Sequence, residues 1–114
     1  VIYLLASPFG SVQETYQLSR DGVEISCEIS DPPEAIYFQV PLIETDGHHC
    51  SQIAAGDRSF RVGYQGHVYH IRCQHPGEVE SRLETFSAPN RNGIYRVGVF
   101  STTGSTITCH LSVE

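Results

Sequence analysis

The chain is 114 residues long and 39% hydrophobic, with a formal net charge of −6, seven arginines and no lysine. That length bounds it to one domain around one modest core. The acidic balance excludes a generic binder of nucleic acid or anionic membrane, which needs clustered cationic side chains, and no apolar run is long enough to cross a bilayer.

The chain opens on VIYLLASPFG, five apolar residues and then a turn. Without a basic segment ahead of it, this start does not read as a signal peptide, and the missing initiator Met fits a mature or trimmed chain. Val12, Glu14, Tyr16 and Leu18 share one strand face, and Val23, Ile25 and Cys27 alternate with polar residues. The expectation is an N-terminal β-hairpin over residues 1–26, an extension of a single domain spanning 1–114.

The stretch SDPPEAIYFQVPLIETDG reads differently. Asp31 is placed to cap a helix, Pro32 to occupy its first position and Glu34 its third. Ala35, Phe38 and Leu42, with Ile36, Val40 and Ile43, then form a broad apolar face, and Gly47 is a stop. Pro41 opposes this, since a proline inside a helix costs about 3 kcal/mol. The reading is a helix over 31–47, kinked or ended near Val40; its alternative is a buried strand at Ile36–Val40.

Beyond it, strands are expected at 58–64, 67–73, 82–86, 94–100 and 106–113. The last is clearest: Ile107, Cys109, Leu111 and Val113 point one way, Thr106, Thr108, His110 and Ser112 the other. Turn signals separate them at SPFG (7–10), RDG (20–22), TDG (45–47), AAGD (54–57), HPGE (75–78), PNRNG (89–93) and TTGS (102–105). A helix followed by strands predicts an α+β fold, one helix packed on an antiparallel β-sheet.

Cys27, Cys50, Cys73 and Cys109 in so short a chain predict two disulfides and a secreted protein. Three pairings are open, and Cys27–Cys109 with Cys50–Cys73 is favoured. The first would close a loop of about 80 residues, worth roughly 4–5 kcal/mol in the chain-entropy model. No C-x-x-C spacing supports zinc. Of six histidines, the adjacent His48 and His49 diverge on a strand, and His67 and His70 fall on opposite faces. No metal site and no cofactor are expected. No G-x-S-x-G nucleophile elbow and no glycine-rich phosphate loop are present.

The segment GVFSTTGSTITC, Gly98 to Cys109, resembles the C-terminal region of the small guanyl-specific fungal ribonucleases, where a GVITHTG strand and turn precede a near-terminal cysteine. SRLETF (81–86), VYHIRCQHPGE (68–78) and RSFRV (58–62) stand in the order of that family's other strands. The resemblance implies a microbial ribonuclease-like fold. It also places Thr102 where the family has its acid His, His70 where it has Glu, Val62 where it has the strand His and Phe60 where it has Tyr. Arg82 alone would persist. Neither a threonine hydroxyl nor a valine supplies the general acid–base chemistry of those enzymes, so the resemblance implies a pseudo-ribonuclease.

A ribonuclease scaffold without that chemistry resembles the secreted ribonuclease-like effectors of powdery mildew and related plant-pathogenic fungi, which end in a similar hairpin, here Tyr95 to Cys109. Those carry Tyr-x-Cys near the mature N-terminus, where this chain has Ile25-Ser26-Cys27. The implied function is non-catalytic binding of a host plant protein or RNA that suppresses immunity, with recognition by a plant immune receptor as one outcome. The implied protein is a secreted monomer, translocated into the host cell in some members, with weak RNA binding and no membrane partner. Arg61 and Arg72 on neighbouring strands, with Arg58 and Arg82, would form any basic patch, and Tyr64, Tyr69 and Tyr95 any aromatic contact face. Two rivals stand beside this reading. One is an extracellular β-sandwich binding module of ZP-N or immunoglobulin type. The other is a live ribonuclease using His70 with His67 or His110.

Overall fold

The computed structural model describes residues 2–7, 10–31 and 35–114. Among these residues ten strands follow one another: β1 (Ile2–Ser7), β2 (Gly10–Ser19), β3 (Gly22–Ile29), β4 (Ile36–Thr45), β5 (Gln52–Gly56), β6 (Ser59–Tyr64), β7 (His67–Cys73), β8 (Glu80–Asn90), β9 (Gly93–Thr102) and β10 (Thr106–Val113). They form a seven-stranded sheet in the order β1-β2-β3-β10-β7-β6-β5 and a three-stranded sheet in the order β4-β9-β8. Every pairing is antiparallel.

Among the described residues there is no helix, and the α+β expectation is wrong. Residues 36–45 form strand β4; Pro32 and Glu34, which carried the cap signature, lie outside the described residues, as do Pro8 and Phe9 of the first turn signal. The apolar set that suggested a helix face is equally a period-two set: Ile36, Val40 and Leu42 are buried, while Tyr37, Gln39 and Pro41 are exposed. Isoleucine, phenylalanine and valine suit a pleated, half-buried surface. Pro41 is no obstacle, because β4 pairs only with β9. An edge strand accommodates proline, its missing N–H facing outward.

The two sheets stack around a core to which both contribute. Ile36, Val40, Leu42 and Phe100 come from the small sheet, and Phe60, Val62, Ile71, Cys73, Ile107 and Cys109 from the large one. The Phe60 and Phe100 rings meet at 4.9 Å, tilted by 40°, a favoured aromatic geometry. Gly98 lies opposite Leu83 and Val40 in the small sheet. A Cβ there would sit 2.8 Å from the Phe60 ring, so the absent side chain is what admits that ring between the layers. The sandwich is stitched shut along β5 and β8: Ser81 Oγ donates to the Gly56 carbonyl at 3.0 Å and accepts from the Arg58 amide at 3.2 Å.

The tight connection from β6 to β7 is Gln65-Gly66, both in the left-handed region (φ 49° and 80°), the backbone a two-residue hairpin needs to match strand twist. Residues 10–26, expected as part of a hairpin extension, belong to the main sheet, since β2 pairs with β3 and β3 with β10.

Candidate functional site

Two sheets of unequal width leave part of the wider one uncovered. At the β5–β8 side the edges meet. At the other side β4 is the last strand of the small sheet, while the large sheet continues past β10 through β3, β2 and β1. An open cleft of about 560 Å³ lies under the free edge of β4.

Its floor follows from strand register. Tyr16, Ile25 and Cys109 are opposite one another across β2, β3 and β10, and Leu111 is opposite both Val23 and Ile71. Residues opposite each other share a face, and here it is the inner one that also carries the buried Ile71 and Phe60. Tyr16, Ile25, Leu111, Tyr69, Ile71, Phe60 and Val62 line the floor, Phe38 to Ile43 the wall, and Tyr64 and Tyr95 complete the lining. No arginine lines the cleft, and the chain has no lysine. The volume and the apolar lining with a few phenols match small-molecule sites.

One end of the cleft is held by Asp46. Its carboxylate accepts from the amides of His48 (2.7 Å) and His49 (2.6 Å), from Gln65 Nε2 (3.3 Å) and from the Tyr64 hydroxyl, with His49 Nδ1 at 3.0 Å. The Tyr64 hydroxyl, then the two amides, hold the Asp46 carboxyl well below the usual carboxylate range, and the carboxylate in turn pushes the Tyr64 phenol up. The network ties the loop after β4 to the end of β6. On the floor, the Tyr16 hydroxyl donates to Glu14 at 3.0 Å.

The positions carried over from the ribonucleases do not converge. Phe60 and Val62 are core side chains. Thr102 is buried, and its hydroxyl donates to the Glu78 carbonyl at 2.8 Å. His70 lies opposite Arg61 on the outward face of the large sheet. Arg82 lies on the outward face of the small sheet, its guanidinium 5.7 Å from the Tyr37 ring centre and its Nε bonded to Glu84 at 2.9 Å. The sandwich core therefore separates His70 from Arg82. Among the described residues no three His, Cys, Asp or Glu side chains gather around a common point.

The arginines divide as well. Arg61 and Arg72 share the outer face of adjacent strands, but Arg61 is bridged to Glu114 at 2.6 Å. Arg58 turns into the loop after β7, donating to the His75 carbonyl at 2.6 Å. The tyrosines fare otherwise: Tyr64, Tyr69 and Tyr95 all come together at the cleft. Tyr16, Ile25 and Leu111 were not among the candidates. Their alternation marked a strand face, and nothing in it marked that face as uncovered.

None of the cysteines is bonded to another. Cys73, not Cys27, lies opposite Cys109; Cys27 lies opposite Ile107. Cys50 sits beside Thr45, at the end of the large sheet where Gln52 pairs with Gly63, whereas Cys73 is at the other end, where Ser59 pairs with Arg72. At about 3.3 Å per residue that is roughly 15 Å along the strands, too far for the expected Cys50–Cys73 bond.

Comparison of the chain with family models, with curated proteins and with solved structures returns no match.

Proposed function

We propose that this chain is a non-catalytic, extracellular β-sandwich binding module whose site is the cleft beneath the β4 edge. Its ligand is a small, mostly apolar molecule without negative charge. The observation that carries the reading is the cleft itself, an apolar floor left uncovered because the small sheet ends at β4. Leaving Ile25 and Leu111 beside water is unfavourable at about 25 cal/mol per Å², and a ligand that covers them recovers that term. Among the described residues the lining has no cation to hold an anion, and the net charge of −6 repels one. Pro41 at the free edge has no N–H to offer, which disfavours a peptide adding as a further strand and favours a compact ligand.

The effector reading rested on a scaffold containing a helix. That helix is absent among the described residues. Two stacked sheets and an apolar cleft between them support the sandwich reading.

The test is titration with Nile red, a neutral apolar dye, followed by competition with uncharged and carboxylated aromatic fragments. Saturable binding is expected, displaced by uncharged fragments. Ile25→Trp, which fills the floor, is expected to weaken it at least tenfold, while Arg72→Glu on the outer face leaves it unchanged. Equal dye binding by the folded Ile25→Trp protein, or no binding by the unmodified chain, overturns the assignment.

A further inference from the structure

We propose that Cys73 and Cys109 form a disulfide across β7 and β10, and that this bond, rather than an end-to-end link through Cys27, is the chain's native cross-link. The inference stands on strand register and is independent of what the cleft binds.

In an antiparallel pair, opposed residues alternate between hydrogen-bonded positions, with Cα atoms about 5.5 Å apart, and non-hydrogen-bonded positions at about 4.5 Å. The Gln74 amide donates to the Thr108 carbonyl at 2.8 Å. These are the residues just outside the Cys73–Cys109 pair, so that pair is of the closer, non-hydrogen-bonded kind. The other end of the same ladder agrees. Glu114 N donates to the Val68 carbonyl at 2.8 Å, which flanks Val113–Tyr69 in the same way, four residues along. The Cys73 amide meanwhile donates to Arg58 on the opposite side, at 2.8 Å. A Cα separation near 4.5 Å falls inside the span of about 4.4–6.8 Å that disulfides occupy.

Cys27 fails the same test. It is diagonal to Cys109, because Cys109 faces Ile25. Diagonal neighbours stand about 7–8 Å apart, beyond easy bridging. The thiols of Cys73 and Cys109 are close enough to influence each other's ionisation. That proximity lowers Cys73 to about 7 and raises Cys109, so the pair titrates jointly. Cys27 is raised to about 11 by burial and then by Glu14, which leaves it a poor thiolate.

Cys73 is 2% exposed and Cys109 1%, so oxidation belongs to folding, before the small sheet closes over them. A small-molecule disulfide such as oxidised glutathione is the oxidant. One thiolate attacks it to give a mixed disulfide and one free small thiol, and the second cysteine displaces the other. The two cysteines lose two electrons and two protons, and the oxidant leaves as two thiols.

The arginines make the map unambiguous. Trypsin places Cys73 in the peptide 73–82, Cys109 in 97–114, and both Cys27 and Cys50 in 21–58. The full chain is refolded in a glutathione redox buffer, quenched in acid, alkylated and digested without reduction. A 73–82/97–114 conjugate with 21–58 doubly alkylated is the expected result. A conjugate of 21–58 with one of the other peptides in place of the 73–82/97–114 conjugate, or alkylation of all four cysteines, overturns the proposal. Should the wild type scramble, the Cys27→Ser/Cys50→Ser double variant must still form the bond, and its urea midpoint must fall on reduction; a midpoint indifferent to reductant counts against it.

Discussion

The seven-stranded sheet is one hydrogen-bonded surface but two physical environments. Where the small sheet lies over it, β6, β7 and β10 carry buried side chains at alternate positions: Phe60 and Val62, Ile71 and Cys73, Ile107 and Cys109. Past β10 the alternation persists, yet β3 has no fully buried residue and neither does β2. Leu18, in register with Val23, is 81% exposed. The ladder is equally complete in both halves, so pairing alone does not make a core. Burial needs a second layer, and where that layer stops the same inward-facing pattern becomes a contact surface.

Four measurements break or sharpen that contrast. Phe100→Ala, in the covered half, is expected to lower unfolding free energy by about 3–5 kcal/mol in urea denaturation, while Ile25→Ala in the uncovered half falls below the ~2 kcal/mol floor of buried Ile→Ala changes. Equal losses would mean that the overhang is packed after all. Gly98→Ala pushes a methyl into the Phe60 ring and should cost about 1–3 kcal/mol by overpacking; a neutral result would show that the layers stand further apart.

A third test concerns the link between the two sheets at the cleft rim. The folded Asp46 carboxyl is held below its unfolded value of about 3.9. Its contribution is therefore present above that value and lost as pH falls through the folded one. As pH falls below about 3, toward the lowered folded value at which the Asp46 carboxylate takes up its proton, NMR signals of His49 and Tyr64 should move together, and in Asp46→Asn they should already hold their low-pH positions; independent titrations would dissolve the network. Smallest of all is Leu18→Ser, expected within about ±0.5 kcal/mol. A larger loss would place an unseen partner over β2.

Much of the strand content was legible. Ile107 and Cys109 are buried and Thr106 and Thr108 are not, as the 106–113 alternation requires. Strands β6 and β7 begin and end within a residue or so of their expected bounds. The helix was misread because Asp31-Pro32-Pro33-Glu34 imitates a cap and because Ile36, Phe38, Val40 and Leu42 satisfy both periods. Only pairing with β9 decides between them. Strand β5 was missed because QIAAG carries a single large apolar residue.

The cysteine pairing and the cleft lay beyond reach for one shared reason. Local pattern says which way a side chain points, whereas register between distant strands says what stands opposite, and the number of strands in each sheet says what stands above. Tyr64, Tyr69 and Tyr95 could be named one by one as contact candidates, but Tyr16 and Ile25 join them only once β2 and β3 are seen to outrun the upper layer.

Pro41 has a consequence for behaviour at high concentration. A sandwich that ends in a bare strand invites its own copies to zip on, the first step toward fibres. A ring nitrogen in the middle of that strand interrupts the template. Pro41→Val would restore the row of donors, and the chain would then trade monodispersity for growth into filaments, visible as rising light scattering and thioflavin fluorescence.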